Sequence, residues 1–140
     1  MKTLYETRAT ATGGREGHTE TEDGRVAFDL SIPEGLGGKG GSGANPEQLF
    51  AAGYAACFLS AVKAAAPKHN VEVPEDAKVT ATVGIGRRDD GVGYGLAVRL
   101  TVEMPGIEPE QAEAVVRAAH EVCPYSHAIK GNVEVDLGVI

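Results

Sequence analysis

Two cysteines, Cys57 and Cys123, are the residues of this 140-residue chain best suited to chemistry, because an ionised thiol is a strong nucleophile at neutral pH. Neither lies in a Cys-x-x-Cys pair, and the histidines show no metal-ligand spacing, so the pattern favours neither a zinc site nor a thioredoxin-like motif. Free cysteines are also commonly buried as small hydrophobic residues. The sequence therefore predicts either two core cysteines or a reactive pair.

The expected positions of the two thiols differ in their electrostatics. Cys57 lies in the middle of an apolar predicted helix, where the helix dipole gives no help, so a cation from elsewhere must stabilise its thiolate. Cys123 is expected at the end of a second helix that Pro124 terminates, where the negative end of the dipole disfavours a thiolate. Cys123 is therefore the weaker nucleophile and the better choice for a resolving thiol.

Arg15 is a possible source of that cation. It lies in a glycine-flanked turn, residues 13–17, which is typical of a solvated surface residue. Glycines also let the backbone bend so that the side chain points inward, and the rigid guanidinium fork can bind a thiolate, a carboxylate and a peroxide oxygen together. Glu47, in the first turn of the Cys57 helix, complements the helix dipole. The four histidines are interpreted as surface or structural residues: His18, His69, His120 and His127.

The hydrophobic pattern predicts an α+β fold with antiparallel sheet, in the order βββ-α-ββ-α-β. One helix is expected to begin at Asn45-Pro46-Glu47 and to stop at Pro67, and a second covers residues 108–122. The strands are predicted over residues 3–12, 17–22, 25–32, 76–88, 94–104 and 132–139. The third of these strands is expected to be half-buried. Because the first helix is apolar around most of its circumference, we expect it to be covered on several sides, which favours a dimer.

The composition excludes some classes of protein. A formal net charge of -7 without a Lys/Arg cluster argues against nucleic-acid binding. The glycine-rich segment 35–43 is expected to be a loop, and it lacks the Lys-Ser/Thr of a Walker motif. No signal peptide is evident, and the most apolar run, residues 49–62, is too short to span a bilayer. We expect one cytoplasmic domain over residues 1–140, in a compartment where a disulfide is more often transient or catalytic than permanent.

Three segments together resemble a known family. They are the turn at residues 13–15, the segment VCPYS at residues 122–126 and the long run NPEQLFAAGYAACF at residues 45–58. The run closely resembles the signature of the organic hydroperoxide resistance proteins, which belong to a superfamily with the osmotically inducible protein C group. The resemblance covers essentially the whole chain. One departure is His127, where the family usually has asparagine.

The resemblance implies a fold and an activity. Members of the family are intertwined homodimers in which antiparallel sheets wrap around two central helices. They reduce organic and fatty-acid hydroperoxides by cysteine chemistry, without metal or haem, and a dihydrolipoyl dithiol is the typical reductant. Carried over to this chain, Cys57 is the peroxidatic cysteine, Cys123 the resolving cysteine, and Arg15 with Glu47 the activating pair.

The wall of the expected substrate site consists of Phe50, Tyr54 and Phe58, which would favour bulky organic peroxides over hydrogen peroxide. Glu47 and Cys57 are ten positions apart on one helix, which is about 15 Å at 1.5 Å per residue. Arg15 and Glu47 are therefore expected to serve the Cys57 of the other subunit. Two alternatives remain open: a protein that binds a lipid or small apolar molecule without turnover, and a redox sensor that passes its disulfide to a partner.

Overall fold

The computed structural model describes all 140 residues, Met1–Ile140. They divide into two compact units, Met1–Leu49 and Phe50–Ile140. The boundary between them falls inside the first α-helix, α1, which covers Pro46–Ala65. The single domain over residues 1–140 stays a prediction.

The first unit contains a three-stranded antiparallel sheet of short strands, in the order β1-β2-β3. These are β1 (Ala9–Thr12), β2 (His18–Thr21) and β3 (Ala27–Asp29). The prediction of a half-buried strand over residues 25–32 is wrong. Pairing with β2 ends at Asp29, Phe28 is 42% exposed, and only Leu30, in an isolated bridge to Ala44, is buried. The first two apolar residues of the alternation, Val26 and Phe28, are exposed in this chain, whereas Leu30 is buried.

The turn that carries Arg15 is a single 3₁₀ turn, Gly14–Glu16, between β1 and β2. Gly17 ends the turn, and its backbone lies very close to that of Thr12. A Cβ atom at that position would lie 1.8 Å from the carbonyl oxygen of Thr12, so no larger residue fits. The glycines therefore permit a tight turn with Arg15 at its centre.

The second unit contains a long antiparallel hairpin formed by β4 (Lys78–Arg87) and β5 (Tyr94–Glu103). Both strands confirm the sequence prediction to within two residues. The last strand, β6 (Val135–Val139), corrects the prediction of a purely antiparallel sheet, because it pairs with β5 in parallel. A parallel partner requires a crossover of a dozen or more residues, and the helical segment between β5 and β6 supplies it.

The core of the second unit is one cluster to which the helices and the sheet all contribute. From α1 it contains Tyr54, Phe58, Ala61, Val62 and Ala65, at the spacing of one helix face. From the second helix, α2 (Pro109–Val122), it contains Ala112, Val115, Val116 and Ala119. The strand β5 contributes Val98, Leu100 and Val102. The core therefore consists mainly of aliphatic residues together with two aromatic rings of α1.

Helix α1 and its 3₁₀ continuation, residues 46–69, meet the length and composition criteria for a helix that crosses a membrane. The prediction considered only the apolar run at residues 49–62, and the helix that contains it is longer than that run. The buried face of α1 in the core accounts for much of this apolar character. On the other side Ala52 and Ala56 are exposed, so in the single chain α1 is not covered all round.

A short third helix, α3 (Pro124–Ile129), follows α2 and was not expected from the sequence. Cys123 separates the two helices. Its N–H donates to the carbonyl of Ala119 at the end of α2, and its carbonyl accepts from His127 in α3. The prediction that the second helix ends at Cys123, before Pro124, is confirmed, and α3 follows directly. Since the residue also precedes the positive end of α3, the dipole argument against its thiolate loses force.

Candidate functional site

The residues proposed for chemistry form two groups, one in each unit. Arg15 and Glu47 belong to the first unit, and Cys57 and Cys123 belong to the second. Within each group the side chains are in direct contact.

The start of α1 fixes Glu47. Asn45 and Gln48 form a reciprocal capping box: the Gln48 N–H donates to the Asn45 Oδ1 at 2.9 Å, and the Asn45 N–H donates to the Gln48 Oε1 at 3.0 Å. Pro46 occupies the first helical position, where no N–H is needed. The first turn is therefore rigid, and Glu47 leaves it in a defined direction.

Arg15 and Glu47 form a bidentate ion pair, as the sequence predicted. The two guanidinium nitrogens donate to the two carboxylate oxygens at 2.8 and 2.7 Å. The Arg15 side chain is 36% exposed and that of Glu47 only 14%. The hydrogen bonds from Arg15 lower the pKa of Glu47, and those to Glu47 raise the pKa of Arg15. Both groups are thus charged at neutral pH, and the guanidinium is held in one orientation.

We expect Glu47→Gln to destabilise the chain at neutral pH by about 1 kcal/mol or less, because the pair is partly exposed. The pKa of Glu47 is lowered in the folded chain. Its contribution is therefore present above the ordinary glutamate value of about 4.3 and is lost as the pH falls through the lower folded value. Thermal unfolding at pH 7 and at pH 2 measures this. The control is Glu16→Gln, which changes an exposed acid in the turn that carries Arg15. If Glu47→Gln lowers the free energy of unfolding by the same amount at pH 2 as at pH 7, the pairing is contradicted.

The two cysteines are neighbours in space although 66 positions separate them. The Cys123 Sγ lies 3.6 Å from the Cys57 Sγ, and both are free thiols. Cys123 is fully buried, whereas Cys57 is partly accessible. A disulfide requires about 2.05 Å between the sulfurs, so a shift of about 1.5 Å would close the bond. Of the two cysteines, only Cys57 is partly accessible to solvent.

Burial raises the pKa of the Cys57 thiol, and a hydrogen bond from the Tyr125 backbone opposes that rise. The Cys123 thiol beside it raises the pKa further. The expectation that a mid-helix cysteine needs a cation from elsewhere stays a prediction.

The three aromatic residues predicted for the substrate wall are not equally accessible. Tyr54 and Phe58 are fully buried, while Phe50 is partly exposed. Tyr125, which the sequence reasoning did not select, is 40% exposed and lies with its ring centroid 6.1 Å from Phe50 and 5.7 Å from Tyr54. The ring surface open to an alkyl chain belongs to Phe50 and Tyr125, with Tyr54 behind them.

Ser126 is a second residue that sequence reasoning missed. Its Oγ shares a hydrogen bond of 2.7 Å with the hydroxyl of Tyr54. The signal available was the segment at residues 122–126, but only its cysteine had an evident chemical use. The structure contains no group of three or more His, Cys, Asp or Glu side chains that could hold a metal ion.

Residues 38–138 match the family model described as OsmC-like protein. An organic hydroperoxide resistance protein of Xanthomonas axonopodis pv. citri is 47% identical over 136 residues, 97% of this chain and 94% of that protein. A crystal structure of an organic hydroperoxide resistance protein from Legionella pneumophila matches with a TM-score of 0.90 at 50% identity, covering 99% of this chain and 98% of that one. A structure of such a protein from Bacillus subtilis gives 0.88 at 41% identity, covering 99% and 100%.

Proposed function

This chain belongs to the OsmC-like family and, within it, to the organic hydroperoxide resistance proteins, and from that premise we propose that it is a cysteine-based peroxidase that reduces organic and fatty-acid hydroperoxides to alcohols. The activity would serve the response to oxidative stress. The single observation that carries the proposal is the pair of free thiols 3.6 Å apart, one buried and one accessible.

The reaction begins at Cys57. Its thiolate attacks the terminal oxygen of the hydroperoxide, an S–O bond forms, the O–O bond breaks, and the alkoxide takes up a proton to leave as an alcohol. Cys57 is left as a sulfenic acid. The Cys123 sulfur then displaces the sulfenic hydroxyl, which leaves as water with the thiol proton, and a Cys57–Cys123 disulfide forms. A dithiol reopens it by exchange and is itself oxidised to a disulfide.

Arg15 is proposed to stabilise the Cys57 thiolate and to orient the peroxide, with Glu47 holding the guanidinium in register. Support comes from the bidentate pair, which holds the guanidinium in one orientation. Because ten helix positions separate Glu47 from Cys57, about 15 Å, the arginine is proposed to come from the partner subunit of a homodimer.

The preference for organic peroxides is attributed to the partly exposed rings of Phe50 and Tyr125, since Tyr54 and Phe58 of the predicted wall are fully buried. Burial of an alkyl chain against such rings contributes about 0.8 kcal/mol per methylene. A hydroperoxide with a long alkyl group is therefore preferred over hydrogen peroxide.

The reductant is proposed to be a dihydrolipoyl dithiol carried by a lipoylated protein, and the chain is proposed to act in the cytoplasm with no bound cofactor, membrane or nucleic acid. We expect consumption of cumene hydroperoxide with lipoamide and its reductase, and much slower consumption with thioredoxin and its reductase. The measurement follows NADH or NADPH oxidation, with Cys57→Ser as the control. Equal rates with both systems would contradict the choice of reductant, and no consumption with either would contradict the peroxidase.

The absence of turnover is also the result that a non-catalytic binder of apolar molecules would give. The close pair of thiols favours the enzyme over that alternative, since binding alone needs no second cysteine. A redox sensor would use the same pair, but it would react once per chain and require a partner protein for each further cycle. Steady-state turnover with a small dithiol separates these functions.

A further inference from the structure

The hydroxyl pair of Tyr54 and Ser126 is a buried polar contact that the proposed chemistry leaves unused. The two oxygens lie 2.7 Å apart, and the residues are 0% and 2% exposed. Apart from the tyrosine itself, Ser126 is the only buried residue of the chain with a polar side chain. Buried hydroxyls are unfavourable unless each has a hydrogen-bond partner. The pair therefore ties α1 to α3 in one arrangement, because neither group has solvent as an alternative.

The hydroxyl pair and the thiol pair are two contacts of one interface. Tyr54 precedes Cys57 by three residues on α1, and Ser126 follows Cys123 by three residues. The two segments therefore pack against each other in antiparallel directions. Next to the hydroxyl pair the Tyr125 ring packs on Gly53, where a Cβ atom would meet the Tyr125 hydroxyl at 3.0 Å and its ring at 3.3 Å. The α3 segment thus docks closely on α1 beside the two sulfurs.

Cys123 depends on this docking because it belongs to neither helix. Its N–H is bound to α2 and its carbonyl to α3, so a displacement of α3 moves the Cys123 backbone. The Tyr125 ring that packs on Gly53 lies in the same segment. The position of the sulfur that faces Cys57 therefore depends in part on α3.

We propose that the Tyr54–Ser126 hydrogen bond is a positioning device for disulfide formation, which holds α3 on α1 and keeps the Cys123 sulfur facing that of Cys57. Tyr54 and Ser126 act here as positioning residues and exchange no proton with the substrate. The proposal rests on the proposed function for its purpose, since it concerns the resolving step. Holding two reacting groups near bonding distance is what raises the effective concentration of one at the other.

The test measures disulfide stability without any peroxide. Wild type, Ser126→Ala, Tyr54→Phe and the double variant are equilibrated in mixtures of reduced and oxidised dithiothreitol, and the Cys57–Cys123 disulfide is quantified by alkylation and mass spectrometry. Each single variant is expected to lower the equilibrium constant for the disulfide by about tenfold, the scale of one lost hydrogen bond. Because the two hydroxyls act as a unit, the double variant should be no worse than either single one.

Controls separate positioning from general damage. Ser60→Ala removes an exposed hydroxyl of α1 that bonds only within its helix and should leave the disulfide equilibrium unchanged. Ser126→Thr keeps a hydroxyl and should retain most of the stability of the disulfide. Amide hydrogen exchange should increase in α3 of Ser126→Ala but not in the β4–β5 hairpin. If Ser126→Ala fails to fold, Tyr54→Phe removes the same hydrogen bond.

An unchanged disulfide equilibrium in both single variants would overturn the proposal, and so would additive losses in the double variant. Because no peroxide is used, this outcome is independent of the peroxidase. With cumene hydroperoxide, Ser126→Ala should accumulate Cys57 sulfenic acid that dimedone traps, and should over-oxidise to sulfinic acid more readily than wild type. A protein without peroxidase activity would give no sulfenic acid in any variant and would still show the altered disulfide equilibrium.

Discussion

Cys57→Ser is expected to abolish consumption of organic hydroperoxide, a loss of at least about 10⁴-fold, because a serine hydroxyl is not ionised at neutral pH and the remaining thiol of the site, Cys123, is fully buried. Cys123→Ser should instead allow one rapid reaction per chain and then stop when lipoamide is the reductant. Without the resolving thiol the sulfenic acid has no intramolecular partner. Stopped-flow measurement of cumene hydroperoxide loss, followed by steady-state turnover, distinguishes the two variants.

The control for both variants is Ser60→Ala on α1, which removes an exposed hydroxyl that bonds only within its own helix. Its rates should equal those of wild type. If Cys57→Ser stays active and Cys123→Ser is inactive in the first reaction, the roles of the two cysteines are reversed. The burial of Cys123 and the accessibility of Cys57 argue for the assignment made here.

Arg15→Ala is expected to have the second-largest effect. Removal of a cation from a thiolate raises its pKa by about 1–3 units, which at neutral pH lowers the thiolate fraction and the rate of peroxide reduction by about ten- to a thousandfold. The peroxide-reduction rate increases with pH as Cys57 ionises, and the midpoint of that increase should lie at higher pH in Arg15→Ala. The reason is that burial raises the pKa of the Cys57 thiol and the variant has no arginine to oppose it. Arg15→Lys should recover part of the activity, because it restores the charge but not the fork. Iodoacetamide alkylation of Cys57 between pH 5 and 10 measures the shift directly.

Mixed dimers test whether the arginine acts across subunits. Arg15→Ala subunits keep Cys57, and Cys57→Ser subunits keep Arg15, so both homodimers should be nearly inactive. A heterodimer of the two contains one complete site only if Arg15 serves the cysteine of its partner. Recovery of about half the wild-type activity per heterodimer is therefore expected, and no recovery would place Arg15 and Cys57 of one chain in the same site.

Much of the fold could be predicted because its signals are local. Asn45, Pro46 and Glu47 predict the start of α1, and the structure adds a capping box between Asn45 and Gln48. Ten-residue alternation around an Asp-Asp-Gly turn fixed the β4–β5 hairpin. The parallel pairing of β6 could not be predicted, since the direction of a returning strand depends on where the crossover ends rather than on its own alternation.

The contacts of the site could be predicted in part from residue type. Both cysteines could have been core residues and Arg15 a solvated one, but the two thiols lie 3.6 Å apart and Arg15 pairs with Glu47. Their catalytic roles stay predictions. Tyr125 and Ser126 were not selected, because a tyrosine and a serine after a proline are ordinary in a turn. Their positions depend on the packing of α3, a helix too short to produce a periodic sequence pattern. That packing places Tyr125 beside Phe50 and Tyr54, and it places Ser126 in a buried hydrogen bond.

The most direct test of the central claim is a reaction of the reduced protein with one equivalent of cumene hydroperoxide, followed by intact-mass and peptide mass spectrometry. We predict one alcohol formed per chain, a loss of two hydrogens from the protein, and a single cross-linked peptide pair containing Cys57 and Cys123 of the same chain. Recovery of the unreacted peroxide with both thiols still free would contradict the account.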